Sequence, residues 1–198
     1  MSPINLEGYA LLAQEAMRPD AWAYFSGGAG DELTLQKNVQ AWRDIELLPR
    51  PIADMSGGNF QCELLNQKYH CPILIAPMAH QKLAHPDGEI AMAVAASAQE
   101  CGMVLSTQTN SSMQDVSKAF DTKTNAPLWF QVYLQHDETL NQDLLEQAHE
   151  AGYQAIVLTI DAPVSGVRDR DRRVPLTQHV CSFHLQSLDK PDYSNIDL

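Results

Sequence analysis

Residues 71–161 alternate between short apolar runs and amphipathic helical patterns, and this alternation limits the possible fold more than any other feature of the sequence. The apolar runs predict four strands, at residues 71–77, 103–106, 128–134 and 155–161. The helical patterns between them cover residues 86–101, 112–119 and 139–151, and the second begins with a capping box at 112–115. Strands joined by helices in this way predict an α/β fold with a parallel sheet and right-handed crossovers.

Polar residues occur at or just beyond the carboxyl ends of these strands, where α/β proteins build their binding sites. They are Ser106, Thr107, Gln108, Gln131, Tyr133, Thr159 and Asp161. A buried strand rejects polar side chains unless they find partners, which here are either a ligand or neighbouring backbone groups. The repetition at equivalent positions of several strands favours a ligand site. An amide and hydroxyls suit a heterocycle with donors and acceptors, and the Tyr133 phenol suits an anionic oxygen.

Outside this alternation, the sequence predicts helices in the N-terminal segment and irregular structure in the C-terminal segment. A helical pattern runs from residue 5 to a break at Pro19, and further helices are expected at 21–25 and 34–44. Residues 47–62 are rich in Pro, Gly and Asp and predict extended or loop structure. Residues 178–198 are polar and without a clear period, which predicts a tail.

Charge and hydropathy exclude several classes of function. The 198 residues carry 13 Lys and Arg against 25 Asp and Glu, a net charge of −12, which argues against a basic nucleic-acid binder. No apolar run approaches the roughly 18 residues of a membrane span, and the N-terminus lacks the features of a secretion signal, so we expect a cytoplasmic location. The four cysteines are widely spaced without a CxxC motif, and we expect them to be reduced, with Cys101 buried and inert.

The arginine-rich run RDRDRR at residues 168–173 follows the fourth predicted strand. Arg170, Arg172 and Arg173 suit a solvated loop with internal ion pairs. Arg168 lies nearest the strand end, where a guanidinium could bind a substrate carboxylate through two hydrogen bonds. The histidines and the Cys181–His184 spacing fit capping or surface roles better than metal ligation, and we expect no metal.

Six ordered segments resemble the FMN-dependent α-hydroxy-acid oxidases and dehydrogenases, the family of glycolate oxidase and lactate oxidase. The segments are YFSGGAGDE at 24–32, IAPMA at 75–79, LAHPDGE at 83–89, LST at 105–107, FQVY at 130–133, and LTIDAP at 158–163 leading to RDRD at 168–171. The resemblance implies a (β/α)₈ TIM barrel, of which this chain would supply about four parallel strands and an N-terminal helical segment. We therefore expect a single truncated domain over residues 1–198, with N-terminal helices at 1–45, the first half of the barrel at 46–177 and a tail at 178–198.

The resemblance also implies roles for individual residues. The isoalloxazine of FMN would lie across the strand ends, in contact with the backbone of Pro77, Met78 and Ala79 and with the side chains of Ser106, Gln131 and Thr159. Tyr24 and Tyr133 resemble the phenols that contact the substrate's carboxylate and hydroxyl, and Arg168 resembles the loop arginine beside the substrate. Gln108 replaces an aromatic residue of the glycolate-oxidase pattern and predicts a more polar substrate pocket.

The family's remaining groups have no counterpart in these residues. They are a lysine on the fifth strand, a histidine that handles the proton of the substrate hydroxyl, a carboxylate-binding arginine and the phosphate-binding loops. The first hypothesis is an enzyme that oxidises a small 2-hydroxy acid, such as lactate or glycolate, to a 2-oxo acid through FMN, and that is inactive as this chain alone. The alternative is a non-catalytic half-barrel that at most binds flavin weakly or a partner chain. In either case we expect self-association or pairing with a complementary C-terminal half.

Overall fold

A computed structural model describes residues 2–121, 123–161, 164–178 and 180–188. The chain divides into two compact units. The helical unit comprises the described residues of Met1–Gly57 and Gly166–His179, and the sheet unit comprises those of Gly58–Ser165 and Val180–Leu198. No helix among the described residues is long and apolar enough to cross a membrane.

The helical unit contains four helices: α1 (Leu6–Ala16), α2 (Pro19–Ser26), α3 (Leu33–Arg43) and, from the later segment, α7 (Asp169–Arg173). Asn5 caps α1 by accepting the N–H of Gly8 at 2.9 Å, and Pro19 starts α2 because its missing N–H costs nothing in a first turn. The predicted restart at Pro19 is confirmed. Neither α1 nor α3 buries a side chain, although both carry apolar residues.

The sheet unit is built on four parallel strands in the order β3 (Leu74–Ile75), β4 (Gly102–Leu105), β5 (Leu128–Val132) and β6 (Ile156–Leu158). The helices α4 (Gly88–Ala98), α5 (Met113–Ala119) and α6 (Glu138–Glu150) connect them in turn. The predicted parallel α/β sheet with its sequential strand order is therefore confirmed. Ser112 caps α5 by accepting the N–H of Asp115 at 3.0 Å, as the capping box predicts.

A single apolar core fills the sheet unit. It combines residues of the two central strands, including Met103, Leu105 and Phe130, with the inner faces of the helices, where Leu144 is fully buried. Leu185 belongs to the same core, although it lies in the short 3₁₀ turn Phe183–Leu185 within the segment expected to be a tail. Residues 189–198 of that segment lie outside the described residues.

The outer strands are shorter and less buried than the sequence predicts. The first strand covers Leu74–Ile75 instead of residues 71–77, because prolines at 72 and 77 flank it and cannot donate to a ladder. Ile156 and Leu158 of β6 are exposed, so this edge of the sheet is less buried than its apolar sequence suggests. The two central strands, β4 and β5, do show near-continuous burial.

Two further elements differ from the sequence expectations. A hairpin of β1 (Cys62–Leu64) and β2 (Gln67–Tyr69) lies where no strand is predicted. Its turn places Leu65 and Asn66 at φ 53° and 60°, a left-handed conformation that Leu gives no reason to expect. The run at 168–173 is not a solvated loop but contains α7. Its aspartates lie in the first turn and its arginines in the last turn, which complements the helix dipole.

Candidate functional site

A chain of hydrogen bonds joins the carboxyl ends of β4, β5 and β6. The hydroxyl of Ser106 donates to Oε1 of Gln131 at 3.3 Å, and Nε2 of Gln131 donates to Oγ1 of Thr159 at 2.8 Å. Ser106 and Gln131 are buried and Thr159 is half-buried. The structure thus brings these three sequence-predicted residues together on one edge of the sheet.

The orientation of the Gln131 amide is fixed by a backbone group. Oε1 also accepts the N–H of Thr107 at 3.2 Å, and a backbone N–H can only donate. Nε2 therefore faces Thr159 and uses one of its two hydrogens there. The described residues provide no acceptor for the second hydrogen, although the side chain is only 2% exposed. A buried donor of this kind fits a ligand that presents an acceptor at the strand ends.

Thr107 stabilises the same edge of the sheet through two hydrogen bonds to the backbone at the end of β5. Its hydroxyl donates to the carbonyl oxygen of Gln131 at 2.6 Å and accepts the N–H of Tyr133 at 3.1 Å. The side chain is fully buried, so both bonds are shielded from water. Thr107 therefore holds the backbone on both sides of Val132 in register with β4.

Glu89, in the first turn of α4, organises the loop that follows β4. Its Oε1 accepts the N–H groups of Gln81 and Asn110 at 3.2 and 3.0 Å, and its Oε2 accepts the hydroxyl of Ser111 at 3.0 Å. The carboxylate is completely buried. It ties the turn after β3 to the loop after β4, and these two segments flank the polar edge of the sheet.

The backbone that follows β3 is open to solvent at the positions predicted to meet the cofactor. Pro77 and Met78 are exposed and Ala79 is half-buried. The N–H of the next residue, His80, donates to the carbonyl oxygen of Gln108 at 3.0 Å, which fixes the end of this segment against the loop after β4. Burial lowers the pKa of His80, with the Glu89 carboxylate opposing the shift, so the imidazole is held towards its neutral form.

Tyr133 lies directly after β5 and is half-buried. Burial, followed by the charge of Asp161, raises the pKa of its phenol. The group therefore keeps its proton at neutral pH and can donate a hydrogen bond to an oxygen of a ligand.

In the helical unit, Tyr24 and Arg168 are neighbours. The guanidinium carbon of Arg168 lies 5.3 Å from the centroid of the Tyr24 ring, within the range of a cation–π contact. Nη2 of Arg168 also donates to the carbonyl oxygen of Tyr24, and its Nε lies 2.7 Å from Oδ2 of Asp171. The guanidinium is thus positioned by two residues of the helical unit, Tyr24 and Asp171.

Arg170 forms an ion pair and a hydrogen bond within the fold. The interpretation of this residue as part of a solvated loop is therefore wrong. Its Nη2 lies 2.5 Å from Oε2 of Glu32, and its Nη1 donates to Oγ of Ser26 at 3.0 Å. The N–H of Gly28 and then the Arg170 guanidinium lower the pKa of Glu32. This ion pair links α7 to the glycine-rich segment after α2.

Cys181 and His184 each accept a hydrogen bond that helps to hold the folded sheet unit together. The carbonyl oxygen of Cys181 accepts Nδ2 of Asn110 at 3.0 Å, and Nε2 of His184 accepts the N–H of Met113 at 3.2 Å. Burial lowers the pKa of His184 to about 4, so the ring stays neutral and can accept. Among the described residues, no group of three or more His, Cys, Asp or Glu could hold a metal ion.

Glu89 and Thr107 hold the site together, but the sequence indicates no role for Glu89 and shows Thr107 only as one of the polar residues that follow the second strand. Glu89 lies within the LAHPDGE segment and Thr107 within LST, so both were inside recognised segments. A charged residue at the first turn of a helix otherwise suggests a solvated position, and only the fold shows that it is buried. The structure describes Tyr24 and Arg168 in one unit and the remaining predicted site residues in the other.

The comparisons with known proteins identify the family of the chain. The family model for FMN-dependent dehydrogenases matches residues 13–194, and the chain belongs to that family. The sheet unit represents half of the (β/α)₈ barrel of this family, and its polar groups lie at the carboxyl ends of the strands.

Among similar proteins, the L-lactate oxidase of Nostoc sp. strain PCC 7120 is 45% identical over 172 residues, covering 87% of this chain and 47% of its own length. Glycolate oxidase 3 of Oryza sativa subsp. indica is 36% identical over 197 residues, covering 96% of this chain and 52% of its own. The structure of the Pediococcus acidilactici lactate oxidase superimposes with a TM-score of 0.86 at 30% identity, over 93% of this chain and 51% of that one. The chain therefore spans about half the length of the relatives that it matches.

Proposed function

We propose that this chain forms the strand-end half of an FMN site in an oxidoreductase that converts a small 2-hydroxy acid to a 2-oxo acid. The observation that carries the proposal is the buried chain from Ser106 through Gln131 to Thr159, which leaves one amide hydrogen of Gln131 available at the strand ends. Similarity to L-lactate oxidase and glycolate oxidase supports lactate-like and glycolate-like substrates. The predicted cytoplasmic location stays a prediction.

The residues divide between cofactor and substrate. Ser106, Gln131 and Thr159 would hold the polar edge of the isoalloxazine, with the backbone of Pro77, Met78 and Ala79 beside it. FMN, when bound, supplies an acceptor for the two electrons of the substrate.

Tyr24, Tyr133 and Arg168 would orient the substrate. The protonated phenol of Tyr133 donates to a substrate oxygen, and the Arg168 guanidinium neutralises the carboxylate. Positioning of this kind lowers the entropic part of the barrier, but it moves no proton by itself. A proton acceptor for the substrate hydroxyl is the group that a complementary half would contribute.

A complementary C-terminal half fits the edges of the sheet. Among the described residues, no strand pairs with the outer edge of β6, where Ile156 and Leu158 are exposed, and Ile160 beyond it is 73% exposed. Unpaired edges and exposed apolar side chains favour association with another chain. We propose that the partner is the second half of the barrel, or a second copy when that half is absent.

The test combines flavin binding with turnover. The chain is purified alone and together with a C-terminal half taken from the Nostoc L-lactate oxidase, beyond the region matched by this chain. We expect negligible turnover of lactate or glycolate and no stoichiometric FMN from the chain alone, and yellow protein with 2-oxo-acid formation from the pair. Turnover by the chain alone would overturn the need for a second half, and a colourless, inactive pair would favour the non-catalytic half-barrel.

A matched pair of variants assigns the effect to the site. Thr159→Val removes the hydroxyl at the end of the hydrogen-bond chain, whereas Thr139→Val changes an exposed threonine of α6. We expect the first substitution to weaken FMN binding by the paired chains about tenfold, the effect of one lost hydrogen bond in a buried site. The second substitution should leave FMN binding unchanged.

A further inference from the structure

Two cysteines lie in contact at the opposite end of the sheet from the proposed flavin site. The sulfur atoms of Cys71 and Cys101 are 3.6 Å apart, and both residues are free thiols. Cys71 precedes β3, and Cys101 immediately precedes β4. Cys101 is only partly buried, so the expectation of full burial is wrong, and its neighbour is a second thiol.

One backbone hydrogen bond and two side-chain contacts hold these two segments side by side. The N–H of Gly102 donates to the carbonyl oxygen of Ile73 at 3.2 Å, and Nδ1 of His70 lies 3.4 Å from Oε2 of Glu100. The Cys71 thiol also lies 3.8 Å from the carbonyl oxygen of Glu100. The contact between the thiols thus lies beside the β3–β4 pairing, which fixes the backbone of both segments.

We propose that Cys71 and Cys101 form a reversible disulfide under peroxide, and that this bond ties the edge strand β3 to β4. The sulfurs must approach by about 1.5 Å to reach the bonding distance of roughly 2.05 Å, which side-chain rotation can supply. Only two residues of β3 pair with β4, so this strand has few ladder hydrogen bonds. A covalent link beside it adds a constraint at this weakly paired edge of the sheet.

The oxidation balances with hydrogen peroxide as the oxidant. One thiolate attacks a peroxide oxygen, the O–O bond breaks, and a sulfenic acid and one water form after proton transfer. The second thiol attacks the sulfenic sulfur, the S–S bond forms, and a second water leaves. Two thiols lose two hydrogens in total, and one peroxide becomes two waters. Disulfides of this kind in reducing compartments act as transient redox sensors.

Burial raises the pKa of the Cys101 thiol, and the neighbouring Cys71 contributes to the shift. The thiolate of Cys101 is thus scarce at neutral pH, and the thiol contact supplies proximity instead of acidity. Cys62 and Cys181 provide controls within the same chain, since each is a free thiol.

The experiment uses the full chain with Cys62→Ser and Cys181→Ser, which leaves only the proposed pair. After treatment with hydrogen peroxide we expect the intact mass to fall by two hydrogens, a peptide map that links Cys71 to Cys101, and complete reversal by dithiothreitol. The loop of about 30 residues that the bond closes should raise Tm by about 10 °C.

Two further variants keep the inference falsifiable. Adding either Cys71→Ser or Cys101→Ser to this background should abolish the mass loss and the shift in Tm. Oxidation of one cysteine to a sulfinic acid without a cross-link, or disulfide-linked dimers on a non-reducing gel in place of the internal bond, would overturn the proposal. A lower Tm in the oxidised chain would overturn the stabilising link between β3 and β4. None of these measurements depends on flavin binding.

Discussion

The carboxylate of Glu89 on α4 accepts the hydroxyl hydrogen of Ser111 at 3.0 Å, and both side chains are buried. With the N–H groups of Gln81 and Asn110, this bond makes one side chain the common acceptor for two loops at the polar edge of the sheet.

Glu89→Ala should lower the free energy of unfolding by about 3 kcal/mol or more, because it leaves buried donors without an acceptor. Glu89→Gln keeps one oxygen acceptor and should cost about 1 kcal/mol. Urea titration followed by circular dichroism measures both. Glu146→Ala, at an exposed position of α6, is the matched control and should change stability by less than about 0.5 kcal/mol. Equal losses for Glu89→Ala and Glu146→Ala would contradict the prediction.

Gln131→Leu should destabilise the chain by about 2 kcal/mol, since the buried N–H of Thr107 then loses its acceptor. Gln142→Leu, at an exposed position of α6, provides the comparison for the same chemical change. Amide hydrogen exchange locates the effect. We expect faster exchange at Thr107 in the first variant and no change there in the second. An unchanged exchange rate at Thr107 in Gln131→Leu would show that the amide does not fix this loop.

The polar edge of the sheet could be predicted because its signal is local in the sequence. Gln131 and Thr159 interrupt apolar runs, and parallel strands bring such interruptions to one edge. Glu89 and Leu185 could not be predicted in the same way. Their burial depends on segments far along the chain, namely Asn110 and Ser111 for Glu89 and the core of the sheet unit for Leu185. From the sequence alone, a charged residue in the first turn of a helix and a polar tail are both expected to be exposed to solvent.

Helix α7 was missed for a different reason. Its sequence, DRDRR, has no apolar face, so the periodicity that indicates helices is absent. The helix is held instead by charge, through the pair of Arg170 with Glu32 and the contact of Arg168 with Asp171. The pair of Arg168 with Asp171 is local, at i,i+3 spacing, but Glu32 lies 138 residues before Arg170, too far for a local pattern to show that pair.

Acid should destabilise the sheet unit through His184. Its pKa in the folded chain is about 4, below the value of 6.5 for a free histidine, so protonation favours the unfolded chain. The stabilisation that comes from the neutral His184 ring is fully present above about pH 6.5. It is lost as pH falls through 4, and the total loss is about 3 kcal/mol. The urea midpoint measured between pH 4 and 7 should show this slope in the native chain.

His184→Ala should flatten that slope. It also removes the acceptor for the N–H of Met113 and should lower the free energy of unfolding near pH 7 by about 1 kcal/mol, the typical cost of a lost helix cap. A variant that keeps the full acid slope between pH 4 and 6.5 would assign the slope to other groups.

A second acid transition should come from Asp20 in the helical unit. Hydrogen bonds from Arg18 and then Thr177 lower the pKa of this buried carboxyl far below its ordinary value. Because the folded pKa is depressed, the stabilisation is complete above about pH 4 and is lost as pH falls below it. Asp20→Asn should weaken the acid dependence below pH 4, and Arg18→Met should do so partly. Thermal melts from pH 2.5 to 5 test the order of these effects.

The burial of Leu185 has a consequence for the order in which the chain is made. A ribosome releases β3, β4, β5 and β6 with their connecting helices before residue 185 emerges. The apolar surface that Leu185 covers stays open during that interval, although the strands can already pair. Completion of the core therefore waits for a segment that follows α7, and the nascent sheet is most exposed to aggregation or chaperone binding just before that segment appears.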